Sequence, residues 1–498
     1  MPLMVVSASD AFKRLRLKDA RWPRTPETQA DRLIPLAQPK FWPSFHINRS
    51  ELIFTIGSCF ARNIEKQLLI EGYNVAYRCF SLPPEPGAAI DPDLMLHRYV
   101  PQSIANELAW ALGEEPFPEA FYYQEDGGWR DLQLHMGAPA APLETIRARR
   151  QALTDYMRLA GEARVFVMTV GLAEAWFDRE TGLYLNTAPP ASARSQFKQR
   201  FEFHLLGPDE ILAGLERIHG LLTRHGRPDL QILATVSPVA LNSTFTGDDI
   251  LLANTYMKSA LRTATEVFAR SHDRVDYFPS YESVTLSDPR RAWAEDQAHV
   301  TDEIVRRNVL LMLEAYGEPT PERGRALEAL KAYDQLQLAR EALAWDREDK
   351  ALDLYRAAAA AAPEDAVVLV EAGRFLMKRR RWAEASRLLE AALEHGGEHY
   401  TGWYWLARIR HRQHRYAAAW EAAQEARRRE PQHTPVLNFC ADLATRLGKL
   451  DEALACAEEH ARLEPGSASS QARLKRLRAR RRPSIGGRIR AWASRAAT

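Results

Sequence analysis

Residues 52–62 read Leu-Ile-Phe-Thr-Ile-Gly-Ser-Cys-Phe-Ala-Arg, and the pattern changes in the middle of this stretch. The first five residues are apolar or β-branched, which predicts a buried strand. From Ala61 to Ile70 the apolar residues recur at helical spacing. Gly57 and Ser58 therefore stand where a strand turns into a helix, so backbone N–H groups and the positive helix end face any ligand in the turn. Serine also caps helices, and on this stretch alone a cap is the favoured interpretation of Ser58.

Apolar strand-like runs alternate with amphipathic helical runs as far as residue 317, which predicts a parallel sheet covered by helices on both faces. The predicted strands are 52–56, 73–78, 164–170, 230–236 and 274–278. The predicted helices lie near 60–71, 100–113, 143–160, 209–225, 252–271 and 300–316. The segment at about 178–208 lacks clear periodicity, and we expect it to be a long loop that acts as a lid or a substrate wall.

In parallel sheets, ligands bind outside the carboxyl ends of the strands. Three predicted strand ends carry glycine or polar residues: Gly57-Ser58, 171–174 and Ser237-Pro238. Ser237 is interpreted as a turn residue before proline rather than as a second nucleophile.

From about residue 320 the composition shifts to Ala, Glu, Arg and Leu, which are strong helix formers. A 34-residue period is visible in three columns: Ala351, Ala385, Ala419 and Ala453; Trp382, Tyr416 and Leu450; Pro363, Pro431 and Pro465, with Gly397 at the position that lacks proline. The pattern resembles tetratricopeptide repeats, in which each repeat is a pair of antiparallel helices. The C-terminal region is therefore predicted to be an all-α solenoid.

These patterns divide the chain into five predicted segments. They are an N-terminal arm (1–48), an α/β domain (49–317), a linker helix (318–345), a repeat domain (346–466) and a basic tail (467–498). The arm is rich in Pro, Arg and Gln, and Trp22, Phe41, Trp42 and Phe45 are the residues expected to anchor it.

Composition excludes several classes of protein. The 498 residues are 46% hydrophobic and 27% charged with a net charge of +2, which is ordinary for a globular protein. The four cysteines form no CxxC pair, which argues against a zinc site or a disulfide scaffold and suits a reducing compartment. No stretch is long enough to span a bilayer, and the N-terminus is a poor signal peptide, so we expect a cytoplasmic protein. The glycines form neither GxGxxG nor a P-loop, and no cofactor or metal is predicted.

The tail has no acidic residue after Glu464 and carries ten Lys or Arg residues from Arg473 to Arg495. Such a segment can bind an anionic membrane surface, and membrane association is kept open for this reason. A solvated cap helix with a frayed end is the favoured alternative. The sequence makes no strong case for nucleic-acid binding.

Asp296 and His299 lie three residues apart after the last predicted strand, where we expect the last helix to begin. Residues at this spacing share one face of a helix. A serine nucleophile needs a histidine to take its proton and a carboxylate to orient that histidine. A parallel sheet would bring this pair to the same edge as Ser58.

The motifs resemble the SGNH (GDSL-like) hydrolase superfamily and, more closely, the GSCFA family. The family's Gly-Ser-Cys-Phe-Ala motif is present at 57–61, and further similar stretches lie at 169–176, 235–239, 257–262, 277–282 and 294–299. The resemblance implies a three-layer α/β/α fold. It implies Ser58 as nucleophile, His299 as general base and Asp296 as the orienting carboxylate.

The resemblance also implies an oxyanion hole made by the nucleophile's N–H, a glycine N–H and an asparagine side chain. Gly171 is the candidate glycine, but the block at 171–174 places Ala173 where the asparagine belongs. The candidate replacements are Asn106, Asn242 and Asn254. Glu174 either contacts Ser58 or substrate, or caps a neighbouring loop.

Other polar residues have competing interpretations. Cys59 is an alternative nucleophile near a helix N-terminus, although the residue after the serine in such a turn points elsewhere. Lys258 and Arg262 are one helical turn apart and could hold an anionic substrate, but a solvated helix face is the favoured interpretation.

We therefore expect an esterase or acyltransferase that acts on an O-acyl ester, such as that of a sugar or polysaccharide, through an acyl-Ser58 intermediate. The repeats would dock a protein partner or the substrate. The alternative is a non-catalytic scaffold, in which the repeats bind a partner and the α/β domain is degenerate.

Overall fold

A computed structural model describes residues 2–24, 32–84, 90–135, 137–396 and 400–481 of the chain. The chain divides into two units, Met1–Arg323 and Gly324–Thr498. Each unit is described by itself below.

Strands and helices alternate along most of the first unit. The strands are β1 (Ile53–Gly57), β2 (Tyr122–Glu125), β3 (Gly128–Asp131), β4 (Val165–Val170), β5 (Glu174–Asp178), β6 (Leu183–Leu185), β7 (Phe201–Leu205), β8 (Gln231–Val236) and β9 (Val275–Tyr277). The α-helices are α1 (Ala8–Arg14), α2 (Cys59–Ile70), α3 (Pro92–Leu96), α4 (Pro101–Ala111), α5 (Leu143–Arg158), α6 (Ala191–Gln196), α7 (Pro208–His225), α8 (Ile250–Ser271), α9 (Ser280–Thr285), α10 (Pro289–Ala292) and α11 (Asp302–Tyr316).

The central sheet is parallel, in the order β1-β4-β8-β9. The prediction of a parallel sheet is therefore confirmed. The register sets Gly57 beside Thr169 and Thr169 beside Thr235, so the carboxyl ends of β1, β4 and β8 are level. Residues that follow these strands meet at one edge of the sheet.

Alternate side chains of β4 point to opposite faces of the sheet, and helices cover both. Phe166 and Met168 pack in a core with residues of α4, α5, α7 and α8. Val165 and Val167 pack in a second core with residues of α2 and α11. The first unit thus has the three layers that the resemblance implies.

The predicted strand at 73–78 is wrong. Val75 forms a single bridge with Ile53, and the chain then turns into a 3-10 helix over Ala76–Cys79. Arg78 N donates to Val75 O and Phe80 N to Tyr77 O, so this backbone satisfies its polar groups locally rather than in a sheet.

The segment at 178–208 is also not the long loop that we expect from its lack of periodicity. It contributes β6, β7 and α6, and β6 and β7 flank β5 in an antiparallel sheet of order β6-β5-β7. Cross-strand aromatic contacts stabilise this small sheet: the rings of Trp176 and Phe203 are 5.7 Å apart, and those of Phe177 and Tyr184 are 5.1 Å apart. Strands of three to five residues are too short to show a period.

Only part of the predicted arm anchoring is observed. Phe45 is buried in the second core, and the Phe41 ring lies 5.1 Å from that of Phe278. Trp22 and Trp42 are exposed, so their prediction as anchors is wrong. The arm instead buries Leu36 and Ile47 beside Phe45.

Successive helices make up the second unit, whose first helix begins just before the division. They are α12 (Pro321–Ala344), α13 (Glu348–Ala361), α14 (Ala366–Lys378), α15 (Trp382–His395), α16 (Tyr400–Arg412), α17 (Tyr416–Arg429), α18 (Thr434–Arg446), α19 (Leu450–Leu463) and α20 (Ala468–Arg481).

The same turn recurs every 34 residues between these helices. Its residue has a positive φ at four positions with that spacing: Asp346, Arg380, His414 and Gly448. The alanines of the repeat column are fully buried where helices cross, and a Cβ on Gly373 would lie 2.9 Å from Leu389 Cγ. The C-terminal region consists of tetratricopeptide repeats, as predicted.

The described part of the tail ends in α20, where Leu474 and Leu477 are buried against the last repeat. Residues 482–498, which carry much of the predicted membrane-binding segment, lie outside the described residues. Among the helices of the described ranges, none is both long and apolar enough to cross a bilayer.

Candidate active site

Gly57 shapes the turn that presents Ser58. Its φ is +143°, and a Cβ at this position would lie 2.0 Å from Thr169 Oγ1 and 2.4 Å from Thr169 O. Only glycine fits a backbone that turns this closely against β4. The turn places Ser58 as the N-cap residue of α2.

The Ser58 hydroxyl does not cap the helix that it precedes. Its side chain makes no capping hydrogen bond, and it instead donates to Ser237 Oγ over 3.3 Å. The first N–H groups of a helix have no partner within the helix. The interpretation of Ser58 as a simple cap is therefore wrong, because its hydroxyl leaves these N–H groups to other partners.

Ser237 lines the cleft, although its place before Pro238 led to its interpretation as a turn residue. It follows β8, its N–H donates to Val170 O over 2.8 Å, and its side chain is buried against Ser58. Its place after a strand that pairs with β4 is the signal that could have identified it, since both strands end at the edge that holds Ser58.

Asp296 and His299 lie in a loop rather than at the start of a helix. An antiparallel bridge between Trp293 and Val300 closes the loop, Gln297 has a φ of +55°, and α11 begins only at Asp302. The expectation of a helix start is wrong because the left-handed residue interrupts the helical path.

The loop nevertheless forms the expected side-chain pair. His299 Nδ1 lies 2.6 Å from Asp296 Oδ2, and the N–H groups of Ala298 and His299 each donate to Asp296 Oδ1 over 3.0 Å. The hydrogen bond from His299, followed by these backbone bonds, holds the pKa of Asp296 well below its usual range. The carboxylate thus stays ionised and fixes the imidazole through Nδ1, which leaves Nε2 as the nitrogen that can accept a proton.

Ser58 and His299 line one cleft of about 530 Å³. Ser58 is 5% exposed and the His299 side chain 63% exposed, so the base lies at the open side. Within the described chain their side chains share the cleft without a direct hydrogen bond, an arrangement common before substrate binds. The apolar walls come from Tyr99, Leu172, Trp176, Leu185, Val239, Leu241 and Phe245.

Comparison with known proteins finds one family model that matches the first unit. A model of the GSCFA family matches residues 52–310, a span that includes Ser58, Asp296 and His299. The chain belongs to the GSCFA family. No curated protein matches it.

Solved structures similar to the chain include MamA proteins and tetratricopeptide-repeat (TPR) proteins. A crystal structure of MamA is 16% identical, with 30% of this chain and 80% of that chain covered and a TM-score of 0.28. YrrB, described as a TPR protein with an unusual peptide-binding site, is 21% identical, with 31% and 79% covered and a TM-score of 0.28. A thermophilic TPR protein from Thermus thermophilus is 21% identical, with 29% and 80% covered and a TM-score of 0.25.

Gly171 lies beside the GSCFA serine, but its N–H is already used. A Cβ on Gly171 would lie 3.8 Å from Ser58 Oγ, and its N–H donates to Tyr99 O over 3.2 Å. The expectation that this N–H serves the oxyanion hole is therefore wrong in the conformation described. Its carbonyl oxygen accepts a hydrogen bond from Lys258 Nζ over 3.2 Å.

Lys258 is buried beside the cleft rather than on a solvated helix face. It is 2% exposed, and burial lowers its pKa to about 7, although the nearby Cys59 favours the charged form. Arg262 is held by Glu266 and Glu282 and stacks on the Tyr277 ring, 3.8 Å from its centroid. Neither residue is simply solvated, so that interpretation is wrong for both.

Of the three candidate asparagines for the oxyanion hole, one lines the cleft. Asn106 lies outside the cleft, where its Nδ2 donates to Tyr184 O over 3.0 Å and its Oδ1 accepts from Arg217 over 2.7 Å. Asn254 accepts from Leu241 N over 3.1 Å. Asn242 is exposed and lines the cleft.

Asn186 also lines the cleft and was missed because it lies in the segment interpreted as a loop. Its Nδ2 donates to His97 O over 2.8 Å, and its Oδ1 accepts from Tyr99 N over 3.2 Å. Both ends of its amide therefore support the cleft wall.

Glu174 holds a loop rather than the nucleophile. Its carboxylate accepts from Thr244 Oγ1 over 2.5 Å and from Phe245 N over 3.1 Å. This matches the loop-capping alternative and not a contact with Ser58. The bond positions Phe245, whose ring lies 5.1 Å from that of Trp176 at the cleft wall.

Cys59 is a weaker nucleophile than its place near a helix N-terminus suggests. Burial raises the pKa of its thiol, and this outweighs the hydrogen bonds from backbone N–H groups and Ser58. A raised pKa lowers the fraction of reactive thiolate.

Proposed function

We propose that the GSCFA unit of this chain is a serine-dependent esterase or O-acyltransferase. The observation that carries this proposal is the shared cleft, which is lined by Ser58 of the GSCFA motif, whose hydroxyl does not cap α2, and by an imidazole that Asp296 orients. A nucleophile, a base and an orienting carboxylate are the groups that acyl transfer needs.

In the first step, Ser58 Oγ attacks the carbonyl carbon of the ester and its proton passes to His299 Nε2. The carbonyl oxygen becomes an oxyanion. When this tetrahedral intermediate collapses, the bond to the leaving oxygen breaks and His299 returns the proton to that oxygen. The product is an alcohol and an acyl-Ser58 ester.

In the second step, His299 removes a proton from water or from an acceptor hydroxyl, which attacks the acyl carbon. When this second tetrahedral intermediate collapses, the bond to Ser58 Oγ breaks and His299 returns the proton to Ser58, which completes hydrolysis in the first case and transfer in the second. The ionised Asp296 stabilises the imidazolium in both steps.

Three groups support the developing oxyanion in this proposal. They are the N–H of Ser58, the first N–H groups of α2, and the side chain of Asn242 in the cleft wall. Removing one such donor typically costs about 10²–10³ in kcat. Asn242 takes the role for which the sequence also offered Asn106 and Asn254.

The proposed substrate is an O-acyl ester of a sugar or polysaccharide. Trp176 and Phe245 form an aromatic wall on which a sugar ring can stack. This glycan assignment rests on the wall alone.

Hydrolysis of short-chain aryl esters and labelling by a fluorophosphonate test the proposal. We expect Ser58→Ala to abolish labelling, and Ser58→Ala and His299→Ala each to lower kcat by about 10³-fold or more. Ser259→Ala, on the exposed side of α8, is the matched control. Undiminished turnover in the Ser58→Ala variant would show that Ser58 is not the nucleophile, and absence of both turnover and labelling in the wild type would favour the non-catalytic scaffold.

We further propose that the repeats dock a peptide partner that carries carboxylate groups. A hollow of about 300 Å³ in the second unit has Tyr355 and Phe375, whose rings stack 4.4 Å apart, in its lining. Arg374 and Lys378 lie one turn apart on α14 at this hollow, both exposed, and within the described residues neither is paired with a carboxylate. The lining also holds Asp346, Glu348 and Glu371, of which Glu348 pairs with Arg379 and Glu371 with Arg340. Cations without such a partner beside aromatic rings favour an acidic peptide.

A further inference from the structure

A second cluster of chemically active side chains lies away from the Ser58 cleft. Glu216 and His219 belong to α7, and His272 directly follows α8. The ligand atoms that these three residues could offer all lie within 4.8 Å of one another. His272 precedes β9, so the cluster is at the amino-terminal edge of the sheet, opposite the edge that holds Ser58.

The local structure holds the three side chains together. Glu216 and His219 are three residues apart and therefore share one face of α7. His272 Nε2 lies 3.0 and 2.9 Å from the two carboxylate oxygens of Glu216. The rings of His219 and His272 stack with their centroids 3.9 Å apart, and both contact the ring of the buried Phe268.

One carboxylate and two imidazoles form a ligand set that suits Zn²⁺. The three residues are partly exposed, so an ion can reach them from solvent.

The cluster opens into a hollow of about 390 Å³ that both histidines line. This space can hold the water that completes a tetrahedral zinc site with three protein ligands. Two arginines at the hollow have other partners: Arg227 pairs with Asp229 over 2.9 Å, and Arg274 donates to Pro228 O. Asp273 adds a further carboxylate to the lining.

We propose that Glu216, His219 and His272 form a binding site for a divalent transition-metal ion of the Zn²⁺ type. The ion replaces the hydrogen bond between Glu216 and His272 and links α7 to the end of α8. The site is independent of the proposed acyl-transfer chemistry, since it shares no residue with the Ser58 cleft. Spacing rules for cysteine do not detect it, because it contains no cysteine and His272 lies more than 50 residues after the other two ligands.

Calorimetric titration of the full chain with ZnCl₂, after removal of metal with EDTA, tests the site. We expect one tight site in the wild type and at least a tenfold weaker affinity in His219→Gln and in His272→Gln. His225→Gln is the matched control, because it removes a histidine of the same helix that pairs with Glu114 outside the cluster. It should bind Zn²⁺ as the wild type does.

Two controls distinguish loss of the metal ligands from loss of folding. Circular dichroism and Tm in EDTA show whether each variant folds, and Glu216→Gln removes the carboxylate with little change of shape. Zn²⁺ should raise the Tm of the wild type and of His225→Gln but not of the cluster variants. Equal Zn²⁺ affinity in the wild type and in folded His219→Gln, His272→Gln and Glu216→Gln would overturn the proposal, as would absence of binding by the wild type.

Discussion

The Ser58 hydroxyl has two chemically different uses, and its contacts select between them. A serine that precedes a helix can bond back to the helix N–H groups, or it can turn away and leave them to a ligand. Ser58 bonds to Ser237, which follows a strand two places away in the sheet. The hydroxyl is thereby held in the cleft, at the N-terminus of α2.

Burial of the Lys258 amine should make the stability of the protein depend on pH. The amine's folded pKa of about 7 lies below the ordinary value of 10.5, because burial disfavours the charged amine. Between these two pH values the unfolded chain holds a proton that the folded chain lacks. The stability of the wild type should therefore fall as the pH decreases from 10.5 to 7, by at most about 1.4 kcal/mol per pH unit, and change no further below 7.

Lys258→Met removes this dependence. Urea unfolding of both proteins at pH 7 and pH 9 measures the difference between their free energies of unfolding. We expect the free energy of unfolding of the wild type to increase relative to that of the variant as the pH rises. Parallel pH profiles of the two proteins would contradict the assigned burial of the amine.

At the scale of elements, the connection from β1 to α2 determines where the nucleophile lies. Gly57 adopts a left-handed φ and touches β4, so one residue couples the direction of the helix to the packing of two strands. A strand end of this kind places a side chain more rigidly than a free loop does.

Gly57→Ala should destabilise the first unit by about 3 kcal/mol or more, because the new Cβ adds a clash with Thr169 to the strain of a positive φ. Gly72→Ala is the matched control. Gly72 also has a positive φ, of +81°, but a Cβ there would meet nothing within 4 Å. The control substitution should lower the free energy of unfolding by only about 1–2 kcal/mol. Equal losses in urea unfolding would show that the contact with β4 is unimportant.

At the scale of the whole molecule, the two proposed activities occupy different units. Every residue that lines the Ser58 cleft belongs to Met1–Arg323, and every residue of the acidic-peptide hollow belongs to Gly324–Thr498. Substitutions in one unit can therefore be used to test one activity at a time.

Arg374→Glu together with Lys378→Glu should weaken binding of acidic peptides at least tenfold, because the rim then repels carboxylates. The peptides would be selected on the full wild-type chain from a display library, and affinities measured by fluorescence anisotropy. Hydrolysis of a short aryl ester should stay within twofold of wild type. Exposed Arg356→Ala, which pairs with Glu384 away from the hollow, is the control. Unchanged peptide affinity in the double variant would contradict docking at this hollow.

The strands, the helical repeats and the Asp296–His299 pair could be predicted from the sequence, because each depends on a local pattern. Alternation of apolar runs located the four strands of the parallel sheet, and the 34-residue period located the repeats. The spacing of Asp296 and His299 anticipated their contact, since three residues suffice to join them even in a loop. Local patterns succeed here because each reports which face of one element is buried.

Contacts between residues that are distant in sequence could be identified only from the tertiary structure. The contacts of Ser58 with Ser237, of Lys258 with Gly171, and of Glu174 with the loop at Thr244 join segments about 70 to 180 positions apart. The zinc-type cluster likewise needs α7 and α8 to pack side by side. No local period carries this information, because such contacts arise from how whole elements pack, and packing depends on side chains throughout the unit.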